Sequence, residues 1–166
     1  EVLRDLGPAG ETEGDRQIHR LFSPAWLLRA RIAWRNGDFR TAADAANRSL
    51  SEAREETTAD AIDEASLADR AEALLILGEV QQATSPSTPP AAWGEAHRLL
   101  AERASASHYW RLLDPWLRLC YLRGDVAQGR IAFDRLNASG YVPLEPWPAI
   151  GGKSISTATQ GDRHVH

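Results

Sequence analysis

The sequence has no methionine, one cysteine and one lysine, and each shortage narrows what the chain can be. Without an initiator Met, the chain is expected to be an excised or processed piece of something longer. A lone Cys120 admits neither an internal disulfide nor a cysteine-based zinc site. Its setting between Leu119 and Tyr121, inside an apolar helical run, marks it as a core residue. No stretch reaches the ~18 consecutive apolar residues of a membrane span. The beginning, Glu1-Val2-Leu3-Arg4-Asp5-Leu6-Gly7, lacks the basic-then-apolar order of a secretory signal. Together these absences favour a cytoplasmic protein with no membrane partner. A net charge of −4 speaks against a nucleic-acid partner.

The chemical signatures are missing as well. None of the five histidines (His19, His97, His108, His164, His166) stands in a His-x-x-x-His or Glu-x-x-His spacing. The pair His164/His166 belongs to a polar tail, where metal affinity is incidental. There is no phosphate-cradling glycine loop and no Gly-x-Ser-x-Gly elbow. The acids Asp60, Asp63 and Glu64 read as a solvated helix face and not as an acid–base pair. No catalytic residue, cofactor or metal is expected.

What is present is the composition of an ordinary globular domain. Hydrophobic residues make up 43% and charged residues 25% of 166 residues, enough for one domain with a buried core. The charge is segregated. Residues 52–79 hold nine acids against two bases, and residues 98–135 hold seven arginines against four acids. Such asymmetry steers charged partners, or else marks two differently solvated helix faces. Arginine almost without lysine, in an Ala-rich chain, suits a GC-rich bacterial genome.

Helical periodicity dominates the middle of the chain. Glycines and Pro8 make 1–14 a loose leader, and Ile18, Leu21 and Phe22 give 15–22 one apolar side, so 1–22 reads as leader plus short helix. Ser23-Pro24 reads as a helix start, with Trp26, Leu27, Ala30, Ala33 and Trp34 at helical spacing. Asn36-Gly37 stops that helix and Asp38 caps the next, which buries Phe39, Ala42, Ala43, Ala46 and Leu50. So short a link implies an antiparallel hairpin. A third helix is expected over 59–83, its first half acidic and exposed, and the break Ser85-Pro86-Ser87-Thr88-Pro89-Pro90 ends it. A fourth follows over 91–104 and a fifth over 108–122, kinked or restarted at Pro115. Gly124-Asp125 then repeats the Gly37-Asp38 stop and restart, and a sixth helix runs to Ala138. The prolines of 141–150 forbid a helix and favour an extended arm, whose Tyr141 and Trp147 suit docking on the helices. Residues 151–166 read as a disordered tail.

Superposing Gly37-Asp38 on Gly124-Asp125 brings Ile32 onto Leu119, Ala33 onto Cys120, Ala42 onto Gly129, Ala45 onto Ala132 and Ala46 onto Phe133. In a first copy Trp26, Ala30, Gly37, Asp38, Ala42 and Leu50, in a second Leu77-Gly78 and Ala96, and in a third Leu117, Gly124, Asp125, Gly129 and Phe133 resemble the tetratricopeptide repeat in degenerate form. The resemblance covers residues 23–140. It implies an all-α, right-handed stack of antiparallel hairpins, about six to seven helices in an α-solenoid, ending in the extended arm. It also implies a concave face lined by the first helix of each hairpin. On this chain those positions are Leu27, Arg31, Trp34 and Arg35, then Glu72, Leu75, Glu79 and Gln82, then Arg111, Asp114, Arg118 and Tyr121. Arginines and aromatics together suit an acidic or aromatic protein or peptide partner. The Lys/Asn set with which some family members clamp a C-terminal carboxylate is missing here.

The reading that follows is an adaptor or regulatory interaction domain of a larger bacterial protein. Two others compete with it: a non-catalytic accessory domain of an enzyme, and a small-molecule sensor built on Trp93, Trp110 and Trp116.

Overall fold

Six α-helices, and no strand, make up the described part of the chain: α1 Phe22–Arg35, α2 Phe39–Glu55, α3 Glu64–Thr84, α4 Ala91–Ala106, α5 Trp110–Arg123 and α6 Val126–Ala138. The computed structural model describes residues 21–55 and 63–148, with backbone only at 54 and 55. The start of the expected helix 15–22, the expected third-helix residues 59–62 and the expected tail 151–166 lie outside the described residues.

The helix ends follow from their punctuation. Gly37 and Gly124 take the left-handed conformation, at φ 74° and 81°, where a side chain is disfavoured. After each, the chain folds back onto its helix. The Asp38 N–H donates to the Ala33 carbonyl at 3.0 Å, and the Asp125 N–H to the Cys120 carbonyl at 2.8 Å. The same aspartates then open the next helix. Asp38 Oδ1 accepts from the Thr41 N–H at 3.0 Å and Asp125 Oδ1 from the Gln128 N–H at 3.3 Å. Asp63 caps α3 through the Ala65 N–H. Pro90 precedes α4 without a capping side chain. Instead Gln81, reaching over from α3, accepts the Ala92 N–H at 3.2 Å.

Two expectations need correction and a third is narrowed. Ser23 does not cap α1, which begins after Leu21. Its hydroxyl is fully buried and meets the Ser49 hydroxyl of α2 at 2.9 Å, so a polar contact stands where two helices press together. Pro115 lies inside α5 without restarting it, although it offers no N–H to the Arg111 carbonyl. The first half of α3 is solvated only at its start, where Asp63 and Glu64 are exposed. Asp69 is 4% exposed and pairs with Arg111 of α5.

Packing runs along the chain, α1 on α2, α2 on α3, α3 on α4, α4 on α5 and α5 on α6; α3 also touches α1 and α5. With four neighbours, α3 is buried on more than one side, including Leu67, Leu74, Leu75, Ile76 and Val80. Around it the contact faces are small: Ala30 and Ala33 of α1, Ala42, Ala45, Ala46 and Ala53 of α2, Ala68, Ala71 and Ala73 of α3. Alanine keeps helix axes close and loses no side-chain entropy on burial. Larger side chains, Leu100, Leu112, Leu113, Leu117, Leu119 and Leu136, fill the other half of the core.

Candidate functional site

Because α1 and α5 both lie against α3, their side chains converge over it. They line an open cavity of about 480 Å³, walled by Leu27, Leu28 and Ile32 of α1, Leu75 of α3, and Trp110 and Pro115 of α5. Tyr141, Leu144 and Glu145 close one side of it. Leu28, Ile32 and Trp110 are exposed here, and the Tyr141 ring stacks on Trp110 with centroids 5.4 Å apart.

Arginines and carboxylates share the same region. Arg31 reaches Glu79 at 3.2 Å, Glu72 at 3.5 Å and Glu145 at 3.5 Å, with its side chain 15% exposed. Arg35 donates to Glu145 from Nη2 at 2.6 Å and from Nε at 3.1 Å. Burial opposes the Arg31 charge, but Glu79, Glu72 and Glu145 outweigh it and hold its pKa above the ordinary value. Burial likewise works against the Glu145 carboxylate, and Arg31, Arg35 and Arg118 overcome it, so Glu145 is held below its ordinary range. Glu79 goes the other way. Burial pushes it up further than Arg31 pulls it down, as expected where three carboxylates share one guanidinium.

The residues after α6 are held through backbone as well as side chains. Arg118, 8% exposed, donates Nη2 to the Glu145 carbonyl at 2.7 Å and Nη1 to the Pro146 carbonyl at 3.1 Å. Its Nε donates to Asp114 Oδ2 at 2.8 Å. The other oxygen of Asp114 accepts the Trp147 indole N–H at 2.7 Å. Trp147 is 5% exposed and meets the Phe133 ring edge-on, with centroids 5.2 Å apart. One carboxylate thus orients the arginine that holds two carbonyls and the indole that follows them.

Of the positions singled out in the sequence, Arg31, Arg35, Arg111 and Arg118 line the cavity, and Glu79 stands behind Arg31. Trp34, Gln82 and Tyr121 are not brought to it. Trp34 packs on Phe39, with centroids 5.1 Å apart, in a second cluster with Ala33, Ala42 and Val80. Gln82 donates to the Pro86 carbonyl. Tyr121 is buried against Gly129 of α6, where any side chain would overlap its ring. The three tryptophans do not converge either. Trp93 lies in the core with its indole N–H on the Leu75 carbonyl, Trp116 lies beside His97, and only Trp110 borders the cavity. Cys120 is buried, and burial lifts its thiol pKa to about 12. Among the described residues no helix is long and apolar enough to cross a membrane, and no three potential metal ligands come together.

Sequence reasoning passed over Glu145, Asp69 and the pairing of Asp114 with Trp147. Glu145 did carry a signal, as the one acid in a stretch of prolines and aromatics, Tyr141-Val142-Pro143-Leu144-Glu145-Pro146-Trp147. Comparison of the chain with protein-family models, with curated proteins and with solved structures finds no match.

Proposed function

We propose that this chain is a protein–protein interaction domain, an adaptor or regulatory part of a larger bacterial protein, which receives a peptide or protein partner on the face built by α1, α3 and α5. In this reading the six helices are three antiparallel hairpins, α1/α2, α3/α4 and α5/α6, stacked as in the tetratricopeptide repeat, with 141–148 as a docked arm.

One observation carries the reading. A stretch of chain without regular secondary structure lies against that face and is held there by side chains of the helices, through its carbonyls, its carboxylate and its indole. That is how one polypeptide recognises another. Leu28, Ile32 and Trp110, at 64%, 52% and 47% exposure beside the cavity, support it, since large apolar side chains grouped around a concavity mark contact surfaces. An arginine cluster already engaged by carboxylates of the same chain favours a partner that meets the apolar walls and exchanges with the resident contacts.

The test is affinity capture from the source cells, followed by titration of the purified captured protein. Ile32→Arg alters an exposed wall and none of the internal hydrogen bonds. It is expected to weaken binding by about tenfold or more, with unchanged circular dichroism. Equal affinity of parent and variant would move the interaction away from this face.

A further inference from the structure

We propose that the ligand of this face is a proline-containing peptide with a carboxylate two residues before a tryptophan, and that the chain's own Glu145-Pro146-Trp147 is the resident copy of that ligand. The proposal rests on the interaction-domain reading and names the chemistry of its partner.

Every part of the resident is held by contacts that do not depend on its being covalently attached. Arg31 and Arg35 take the carboxylate. Arg118 spans two consecutive carbonyls with its two terminal nitrogens. Asp114 takes the indole N–H, and the ring beds against Phe133. With one residue between them, the carboxylate and the indole both reach the helices, Glu145 on Arg31 and Arg35 of α1 and Trp147 on Asp114 of α5 and Phe133 of α6. Pro146 between them points outward and is exposed. A proline there restricts the chain to extended conformers, lowers the entropy lost on docking and leaves no N–H unsatisfied. Charge complementarity decides the acid, because Glu145 answers two arginines of α1 at once.

The resident also occupies the face incompletely. Trp147 is its one buried side chain, whereas Leu144 and Val142 are 94% and 78% exposed. Beside it the 480 Å³ cavity, with Leu28, Ile32 and Trp110 on its walls, leaves room for residues flanking the same motif in a longer partner.

The experiment uses the full chain with Glu145→Ala/Trp147→Ala, which silences the resident, and a labelled eight-residue peptide of the sequence 141–148. The silenced chain is expected to bind the peptide about tenfold or more tightly than the parent, whose own segment competes at an effective concentration of about millimolar. Replacing the tryptophan of the peptide by alanine is expected to weaken binding roughly thirtyfold, and Asp114→Ala in the silenced chain by about tenfold. A silenced chain of parental circular dichroism that ignores the peptide, or that binds the alanine peptide equally well, overturns the proposal. Should silencing unfold the chain, the parent labelled with 5-fluorotryptophan decides. Displacement of the Trp147 fluorine resonance by excess peptide supports the proposal, and a resonance that stays fixed overturns it. A concentration-dependent dimer that the peptide dissociates would make a second copy the occupant and overturn it too. If the peptide fails while Ile32→Arg still releases a captured partner, only the ligand chemistry falls; if both fail, the interaction-domain reading falls with it.

Discussion

Arg31 serves three carboxylates, and two of them, Glu145 and Glu79, are shifted in opposite directions. Glu145 is held below its ordinary value of 4.5, because Arg31, Arg35 and Arg118 together overcome its burial. A carboxyl depressed in the folded state contributes stability that is present above its unfolded pKa and lost as pH falls through the folded one. Glu79 and Asp69 are raised by burial despite Arg31 and Arg111. Their contribution has the opposite sign: it is present below the unfolded pKa and lost as pH rises through the folded one. Acidification therefore acts selectively. As pH falls through the depressed folded value of Glu145, below its ordinary 4.5, the charge that fastens 141–148 is neutralised, while the two helix-borne acids accept protons at higher pH, more readily than in the unfolded chain. The expected outcome is release of Trp147 while helical circular dichroism persists, followed by tryptophan fluorescence and dichroism between neutrality and about pH 3. Glu145→Gln should remove that early step. Loss of both signals in one transition would show that the carboxylate is not the fastening.

At the level of helices and turns, the same device closes α1 and α5: a left-handed glycine, a main-chain bond back across the turn, and an aspartate that opens the next helix. A methyl group at Gly37 or Gly124 would meet nothing within 4 Å, so only the backbone conformation resists it. Gly94, inside α4, has space as well, with Arg123 Nη1 at 3.7 Å, but carries no positive φ. Alanine should therefore act oppositely at the two kinds of site. Gly37→Ala and Gly124→Ala are each expected to destabilise by ~1 kcal/mol, and Gly94→Ala to stabilise by ~0.5–1 kcal/mol, measured by denaturant titration. A shared sign would contradict the account. These local devices are the part of the fold that was legible in the sequence, because a turn and its caps are written in four or five adjacent residues. Helix identity was legible too, from apolar spacing. The burial of Asp69 and the clasp on Glu145 were not, since their partners stand 42 and 110 residues away. Trp34 and Tyr121 misled for a related reason. A helix position facing a groove and one facing the neighbouring helix differ by about one step of 100°, and only packing decides between them.

For the molecule as a whole, α3 and the residues after α6 stand at opposite ends of a stability scale. α3 packs on four helices and contains several of the largest fully buried side chains, Leu67, Leu74, Leu75 and Ile76. Residues 142–148 have a different hold. Among the described residues the last main-chain hydrogen bond along the chain runs from the Tyr141 N–H to the Leu136 carbonyl, and beyond it side chains of the helices do the holding. Opening this stretch exposes one tryptophan and frees one carboxylate, whereas opening α3 dismantles the core. Hydrogen exchange should resolve the two. Amides of 74–76 are expected to exchange only through global unfolding, with the full ~5–15 kcal/mol of a domain and a steep dependence on denaturant. The indole N–H of Trp147 should exchange through a smaller opening with a shallow dependence, and the amides of Val142 and Leu144 faster still. If the Trp147 indole instead exchanged with the same free energy and slope as Leu75, the segment would belong to the cooperative core and no partner could displace it without unfolding the helices. A separate, shallower opening is the physical condition for exchange between a resident segment and an arriving peptide, because the displaced contacts must cost less than the fold itself.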